Sequence, residues 1–308
     1  MNLWRVFFIF CFSLLWQLSV CADPVILPPV HAPTINLEKT PKYPKKKKAS
    51  GPVLLDARPT FDFAMGHVKN SMLIRWQDYA QTEEPHKGSL DPDLDFLARK
   101  LRVLGISPER DVIVIGNGSK GRAEEGRIAW MLLYLGIKKV TLKNVIHVLA
   151  RKTLDDENTE RDSAPIWIPH PIQSLRVQKR DIESIVEEHQ EKNQSHPQTS
   201  HSVIIDVRSP EEFSAKPASG KPGGHIPGAI NLPWTLLFSK EDEILTGDPL
   251  IQVLKSRGID VSKNLIFYSS LGLESGLATF AAFKSDLKAS HYDGSFVEWA
   301  GDGHLKTE

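Results

Sequence analysis

Three serines and a glutamate crowd one short stretch, "NLIFYSSLGLESGLATF" (264–280), where an apolar strand pattern gives way to a turn and then to a helix start. A strand–turn–helix junction converges backbone N–H groups and the positive end of a helix dipole on one point, which suits it to hold an anion or to aim a nucleophile at one. Ser269, directly after Tyr268, stands where the strand pattern stops. Its hydroxyl is scarcely ionised without an adjacent base. No base lies nearby in sequence, and a distant residue such as His304 would have to be brought in by the fold. The plainer reading is that Ser269, Ser270 and Ser275 cap the helix and stay solvated. Glu274, in the first helical turn, is favourable beside the dipole, where its carboxylate would fill an electropositive pocket and repel an anionic donor.

A second junction, "DVIVIGNGSKGRA", spells G-x-G-x-x-G with Gly116, Gly118 and Gly121. A dinucleotide site also needs an acidic residue about 20 positions on, where this chain has "KKVTLKN", and Gly121-Arg122-Ala123 lacks the Lys and Ser/Thr of a phosphate-binding loop. Nucleotide binding is not expected. Lys120 and Arg122 leave open either contact with a small anion or a solvated loop. His189, His196 and His201 sit in a polar loop with no carboxylate or thiolate partner at regular spacing, so surface histidines are expected rather than a zinc or copper site. No metal and no cofactor is expected.

These junctions need a scaffold, and the chain carries one twice. "VLLDAR", "DVIVIG", "VIIDVR" and "NLIFYS" read as buried strands, and "DLDFLARKLRVLGI", "EEGRIAWMLLYLGI", "DPLIQVLKSRGI" and "ESGLATFAAF" as helices between them. "RDIESIVEEHQ" is a further helix that Asp181 would cap. Strands alternating with helices predict an α/β fold with a mainly parallel sheet covered on both faces. "DARPTFDFAMGHVKNSMLIRW" lines up with "DVRSPEEFSAKPASGKPGGHIPGAINLPW", which makes the chain a tandem repeat of two related domains and sets Gly116 opposite Ser269.

With these residues in view, the second half resembles a rhodanese (sulfurtransferase) domain: "IIDVRSPEEF", "GGHIPGAINLPW", the loop after Tyr268 and "YDGSFVEW" follow the family's order. The first half resembles the family's degenerate N-terminal domain through "LLDAR", "GHVKNS" and "GRIAWMLLYLGI". The resemblance runs from about Gly51 to Gly303 and implies two tandem rhodanese-like domains, at 51–150 and 175–308, with a connector at 151–174. It marks Asp56, Arg58, His67, Asp206, Arg208, His225, Asp293, Gly294 and Trp299 as motif residues. Asp206 and Arg208 would form a buried pair tying a strand end to a neighbouring loop. His67 and His225, in the same scaffold motif of each half, would be hydrogen-bonded structural histidines.

In active members of that family the loop begins with a cysteine whose thiolate carries the transferred sulfur. This loop, Ser269-Ser270-Leu271-Gly272-Leu273-Glu274-Ser275, begins with serine, whose oxygen cannot carry sulfur in that way. The resemblance therefore implies a catalytically degenerate member that binds a protein partner or a small anion in the cleft between its domains. The alternative is an enzyme after all, either a residual sulfurtransferase with another nucleophile or a hydrolase using Ser269. A phosphatase on the related dual-specificity loop would also need the cysteine.

Composition narrows the field further. The 308 residues are 41% hydrophobic and 25% charged, ample for two globular cores, and 38 basic against 38 acidic residues leave no field to recruit nucleic acid. The start, "MNLWRVFFIFCFSLLWQLSVCADP", reads as an export signal at 1–22, cut after Ala22. It is followed at 23–50 by a Pro- and Lys-rich tether whose Lys45–Lys48 run is either a solvated segment or a contact for anionic lipid. The expected location is the periplasm or cell envelope. The alternatives are a lipoprotein anchored through Cys21, an uncleaved membrane anchor, or secretion. Cys11 and Cys21 are the only cysteines, so a chain cut after Ala22 has no thiol.

Overall fold

In the computed structural model, which describes residues 51–149, 154–155, 162–192, 201–216 and 223–302, the apolar runs become parallel strands. The first half contains β1 (Val53–Asp56), α1 (Thr60–Met65), β2 (His67–Val68), β3 (Ser71–Leu73), α2 (Leu94–Val103), β4 (Asp111–Gly116), α3 (Glu124–Tyr134), β5 (Lys139–Asn144), α4 (Val145–Leu149) and β6 (Leu154–Asp155). Four of its strands form a parallel sheet in the order β3-β1-β4-β5, and β2 pairs antiparallel with β6.

The second half follows with β7 (Arg176–Val177), α5 (Lys179–Lys192), β8 (Ser202–Asp206), α6 (Pro210–Phe213), β9 (Ile230–Asn231), α7 (Asp248–Ser256), β10 (Asn264–Tyr268), α8 (Leu273–Phe283), β11 (Ala289–Tyr292) and α9 (Ser295–Gly301). Its sheet runs β7-β11-β10-β8-β9, the same order seen from the other edge with β7 added. Register makes the repeat residue-specific. Asp56 lies opposite Ile115 and Asp206 opposite Tyr268, so Gly116 and Ser269 are the next residues at equivalent strand ends.

Local chemistry sets the helix starts. Asp93 accepts the Phe96 N–H at 2.8 Å ahead of α2, which then turns Leu97, Ala98 and Leu101 inward. Ser209 and Glu212 form a reciprocal capping box on α6. Asp181, expected as the cap of α5, lies instead inside its first turn. The helix begins earlier because the Asp181 carboxylate reaches back to the Gln178 N–H at 2.8 Å.

Helices α3 and α8 are buried on nearly every face, as helices apolar all round must be, and they pack on each other. The contact is close enough that a side chain on Gly126 would meet the Leu277 backbone at 2.5–2.7 Å. Leu277 and Phe280 of α8 therefore join the same apolar cluster as Ile128 and Trp130 of α3, and the core runs through both halves. All the described residues belong to one compact unit. The connector lies along the first half, where Ala164 N–H reaches Arg102 O and the Trp167 indole N–H reaches Ile106 O, both at 2.9 Å. Among the described residues no helix is long and apolar enough to cross a membrane. The expected signal and tether lie outside the described residues.

Candidate functional site

Strand β10 delivers Ser269 to a turn that ends at Gly272, whose φ of +81° starts α8. The Ser269 N–H points to Ser295 Oγ at 3.3 Å and its carbonyl accepts the Phe296 N–H at 2.9 Å, so α9 pins the turn from behind. Its hydroxyl oxygen accepts the Gly272 N–H at 3.0 Å and lies 3.1 Å from Ser275 Oγ, which in turn lies 2.8 Å from His291 Nε2. The structure thus does place a base near Ser269, one hydroxyl removed, and it is His291 on β11. His304, the distant candidate, lies outside the described residues. Burial, reinforced by the Arg127 guanidinium, holds the His291 imidazole well below its ordinary pKa and hence neutral.

Ser269 and Ser275 are fully buried, which overturns the picture of solvated capping serines: β10, α8 and α9 close over them. Only Ser270 has its hydroxyl at the surface, donating to Glu212 Oε1 at 2.9 Å. Glu274 lies against Ser269, and its pKa is raised because burial outweighs the helical N–H groups and the Ser269 hydroxyl that favour its charge. The Arg122 charge also favours the carboxylate, and burial outweighs that contribution too.

Behind the turn the motif residues form matching scaffolds. Arg58 grips Asp56 through three contacts of 2.7–3.1 Å and donates to Gly66 O at 2.9 Å; Arg208 grips Asp206 at 2.5–3.0 Å and donates to Gly224 O at 2.8 Å. His67 Nδ1 donates to Phe63 O and His225 Nδ1 to Phe213 O, each ring stacked on that phenylalanine. Trp299 is buried beside Phe296 and Tyr268, and Gly294 leaves room for the Glu298 carboxylate.

Asp293 has a more central position. It accepts Arg176 Nε at 2.8 Å and the Leu90 N–H at 2.7 Å, and lies 3.6 Å from Arg127 Nη2, which also donates to Gly88 O at 2.7 Å. Burial opposes its charge, but Arg176 and Arg127 hold the carboxyl below the ordinary range. This network joins both halves at the floor of a cleft of about 390 Å³, whose walls include Gln81, His86, Lys179, Arg180 and Glu298.

At the equivalent end of β4 the G-x-G-x-x-G glycines serve the chain's own side chains. A side chain on Gly116 would collide with the Glu125 carboxylate at 2.0–2.3 Å, and Glu125 Oε1 accepts the Gly118 N–H at 3.2 Å. Lys120 and Arg122 are exposed on the rim. Of the three histidines expected in a loop, His189 instead falls within α5, His196 lies outside the described residues, and His201 is exposed. Among the described residues no group of three or more His, Cys, Asp or Glu side chains is arranged to hold a metal.

His291, Arg127, Arg176 and Glu125 were not singled out from the sequence. Arg127 alone had a local signal, as a lone cation in the apolar run "GRIAWMLLYLGI".

Comparison with known proteins agrees with this geometry. The chain is 28% identical over 251 residues to the 3-mercaptopyruvate sulfurtransferase of Escherichia coli, covering 80% of this chain and 85% of that one. It is 26% identical over 248 residues to a putative thiosulfate sulfurtransferase of Haloferax volcanii, covering 76% and 80%. Among solved structures, SseA of Escherichia coli superposes with a TM-score of 0.64 at 23% identity, covering 79% of this chain and 92% of that one. Tum1 of Saccharomyces cerevisiae superposes with a TM-score of 0.69 at 21% identity, covering 85% and 93%. A model of the Rhodanese-like domain matches residues 40–149 and again 185–302. With the repeat matched twice and both parallel sheets in place, the chain belongs to the rhodanese-like family and carries two of its domains in tandem.

Proposed function

We propose that this protein keeps the sulfurtransferase fold without the sulfur-transfer reaction and works as a binding module, taking a small anion or a protein partner at the cleft between its halves. The observation that carries the reading is Ser269. The residue at the end of β10 is a serine with no accessible surface, its oxygen already engaged by Gly272 N–H and Ser275, with Glu274 beside it. A hydroxyl so placed offers neither a thiolate's charge nor its sulfur chemistry. The cleft, at about 390 Å³, has the size of a small-molecule site, and Arg176, Lys179 and Arg180 favour an anion there. The relatives' names, 3-mercaptopyruvate and thiosulfate sulfurtransferase, belong to proteins whose donors are anions.

The test is sulfur transfer from thiosulfate, and from 3-mercaptopyruvate, to cyanide. The unmodified protein and Ser269→Ala are expected to form no thiocyanate, and Ser269→Cys to gain it, more so with Glu274→Ser removing the adjacent carboxylate. Turnover by the unmodified protein that Ser269→Ala abolishes overturns the reading.

That outcome would favour the second reading, a Ser269-dependent enzyme, for which the Ser269–Ser275–His291 chain is the specific observation. Against it stand the interposed hydroxyl and the sealed surface. Export belongs to the proposal too. The apolar, singly charged start followed by Val20-Cys21-Ala22 supports a signal cut after Ala22, with lipidation of Cys21 as the alternative. The N-terminal mass of the protein recovered from fractionated cells distinguishes the two, and a cytosolic chain retaining residues 1–22 refutes both.

A further inference from the structure

The loop at the end of β4 has the shape of an anion cradle, and something anionic already sits in it. Asp242, from a turn of the second half, crosses to the first. Its Oδ1 accepts the Ser119 N–H at 3.0 Å and its Oδ2 accepts Asn144 Nδ2 at 2.8 Å. Both carboxylate oxygens are met by neutral N–H donors, and no cation pairs with Asp242 among the described residues. Asp242 reaches this position from a tight hairpin closed by Phe238 and Ile244, with its own φ at +60°.

We propose that the loop 117–122, together with Asn144, is a binding site for a small tetrahedral oxyanion, kept shut by the side chain of Asp242. The site lies in the first half, away from Ser269, and does not depend on what the second-half loop does.

Three further observations fit. The donors are of the kind that receive phosphate or sulfate, a backbone N–H in a glycine-containing turn and a side-chain amide. The remaining space, about 20 Å³ between Gly118, Asn144, Asp242 and Leu277, is too small for an oxyanion while the carboxylate is in place. Cations stand at the rim: Lys120 and Arg122 are exposed, and Lys143 reaches only a distant contact, 4.0 Å, with Glu243.

Acidic groups also face the site, and they set its conditions. Glu125 lies at its base on Gly118 N–H, Asp62 holds Asn117 Nδ2 at 3.0 Å, and Glu243 sits on the hairpin near Lys143 and His147. Burial raises the Glu125 carboxyl to about 7, so near neutrality much of it is uncharged and opposes an anion less than a carboxylate would. Because ligand and Asp242 compete for the same donors, oxyanion binding releases the hairpin, and anything that withdraws the hairpin tightens binding by the same factor.

The experiment titrates the full chain with inorganic phosphate, and separately with sulfate, by isothermal calorimetry at pH 7. Asp242→Gly, whose backbone suits the positive φ, is expected to bind phosphate at least about tenfold more tightly than the unmodified protein. Adding Asn144→Asp, which replaces a donor by a charge, should cancel the gain, whereas adding Arg257→Ala, at an exposed cation just past α7, should leave it intact. If Asp242→Gly fails to fold, Asp242→Asn serves in its place, since its amide faces the Asn144 amide donor to donor and weakens the plug. In the unmodified protein, phosphate should speed hydrogen exchange at the Asp242 and Ser239 amides, which bond to Ser239 O and Glu243 O in the closed hairpin. No gain in a folded Asp242 variant, or a gain that survives Asn144→Asp, overturns the proposal.

Discussion

Replacing Glu125 by glutamine should stabilise this protein, and only above a definite pH. Glu125 is 4% exposed, in the first turn of α3, with Oε1 on the Gly118 N–H. Burial is the main reason its carboxyl is raised from 4.5 to about 7, and the neighbouring Glu124 and Asp242 add to it. A carboxyl with a raised folded-state pKa binds its proton more tightly in the native chain than in the unfolded one. Between pH 4.5 and 7 the folded state therefore holds more protons, and stability falls as pH rises through that window. Above it the whole penalty is expressed, on the order of 3 kcal/mol for a shift of this size.

Glutamine keeps the volume and an acceptor oxygen for Gly118 but cannot ionise. Glu125→Gln is expected to match the unmodified protein at pH 4.5 and to exceed it by about 2–3 kcal/mol at pH 8, allowing for imperfect amide placement. For a unit of this size that is a rise in Tm of roughly 5–10 °C at the higher pH. Urea denaturation followed by tryptophan fluorescence at several pH values reads it directly. A stability difference that is the same at pH 4.5 and pH 8, or a variant less stable at pH 8, refutes the reasoning.

Two other substitutions probe the junction between the halves. Asp293→Asn leaves the buried Arg127 and the half-buried Arg176 without their counter-charge and should cost about 3–5 kcal/mol in denaturant unfolding, a loss that Arg127→Met in the same chain partly recovers. Gly126→Ala drives a methyl group to within 2.3 Å of Leu277 Cβ and should destabilise by about 1–3 kcal/mol. The hydrogen-exchange increase for Gly126→Ala should concentrate in α3 and α8; a uniform increase would place the strain elsewhere.

The α/β architecture is legible in the sequence because its signals are local. Runs such as "VLLD" and "NLIFY" are apolar without alternation, as strands covered on both faces must be, and "DLDFLARKLRV" turns an apolar stripe inward behind a capping aspartate. Even the equivalence of Gly116 and Ser269 follows from aligning two strand-to-helix junctions, and the strand register reproduces it. The start of α5 was misplaced for an equally local reason. An aspartate caps a helix from just before it or reaches back from its third position, and the sequence does not distinguish the two.

The partners of the candidate sites are another matter, because they are long-range. His291 meets Ser275 from the next strand, Arg127 reaches Asp293 across the two halves, and Asp242 arrives from a hairpin more than a hundred positions from Ser119. No spacing rule connects such residues. What the sequence does contain is the demand they answer. A loop that converges N–H groups on one point cannot bury them unpaired, since each would cost about 1–3 kcal/mol. In an active member of the family a charged sulfur and its ligands can take those donors. Here Gly272 N–H turns to the Ser269 hydroxyl, Gly118 N–H to Glu125 and Ser119 N–H to Asp242. A chain with no thiol near either loop has satisfied both cradles from within. The two differ in how firmly they are filled: the first-half cradle relies partly on a side chain of the opposite half, so it is the one a change in that contact can open.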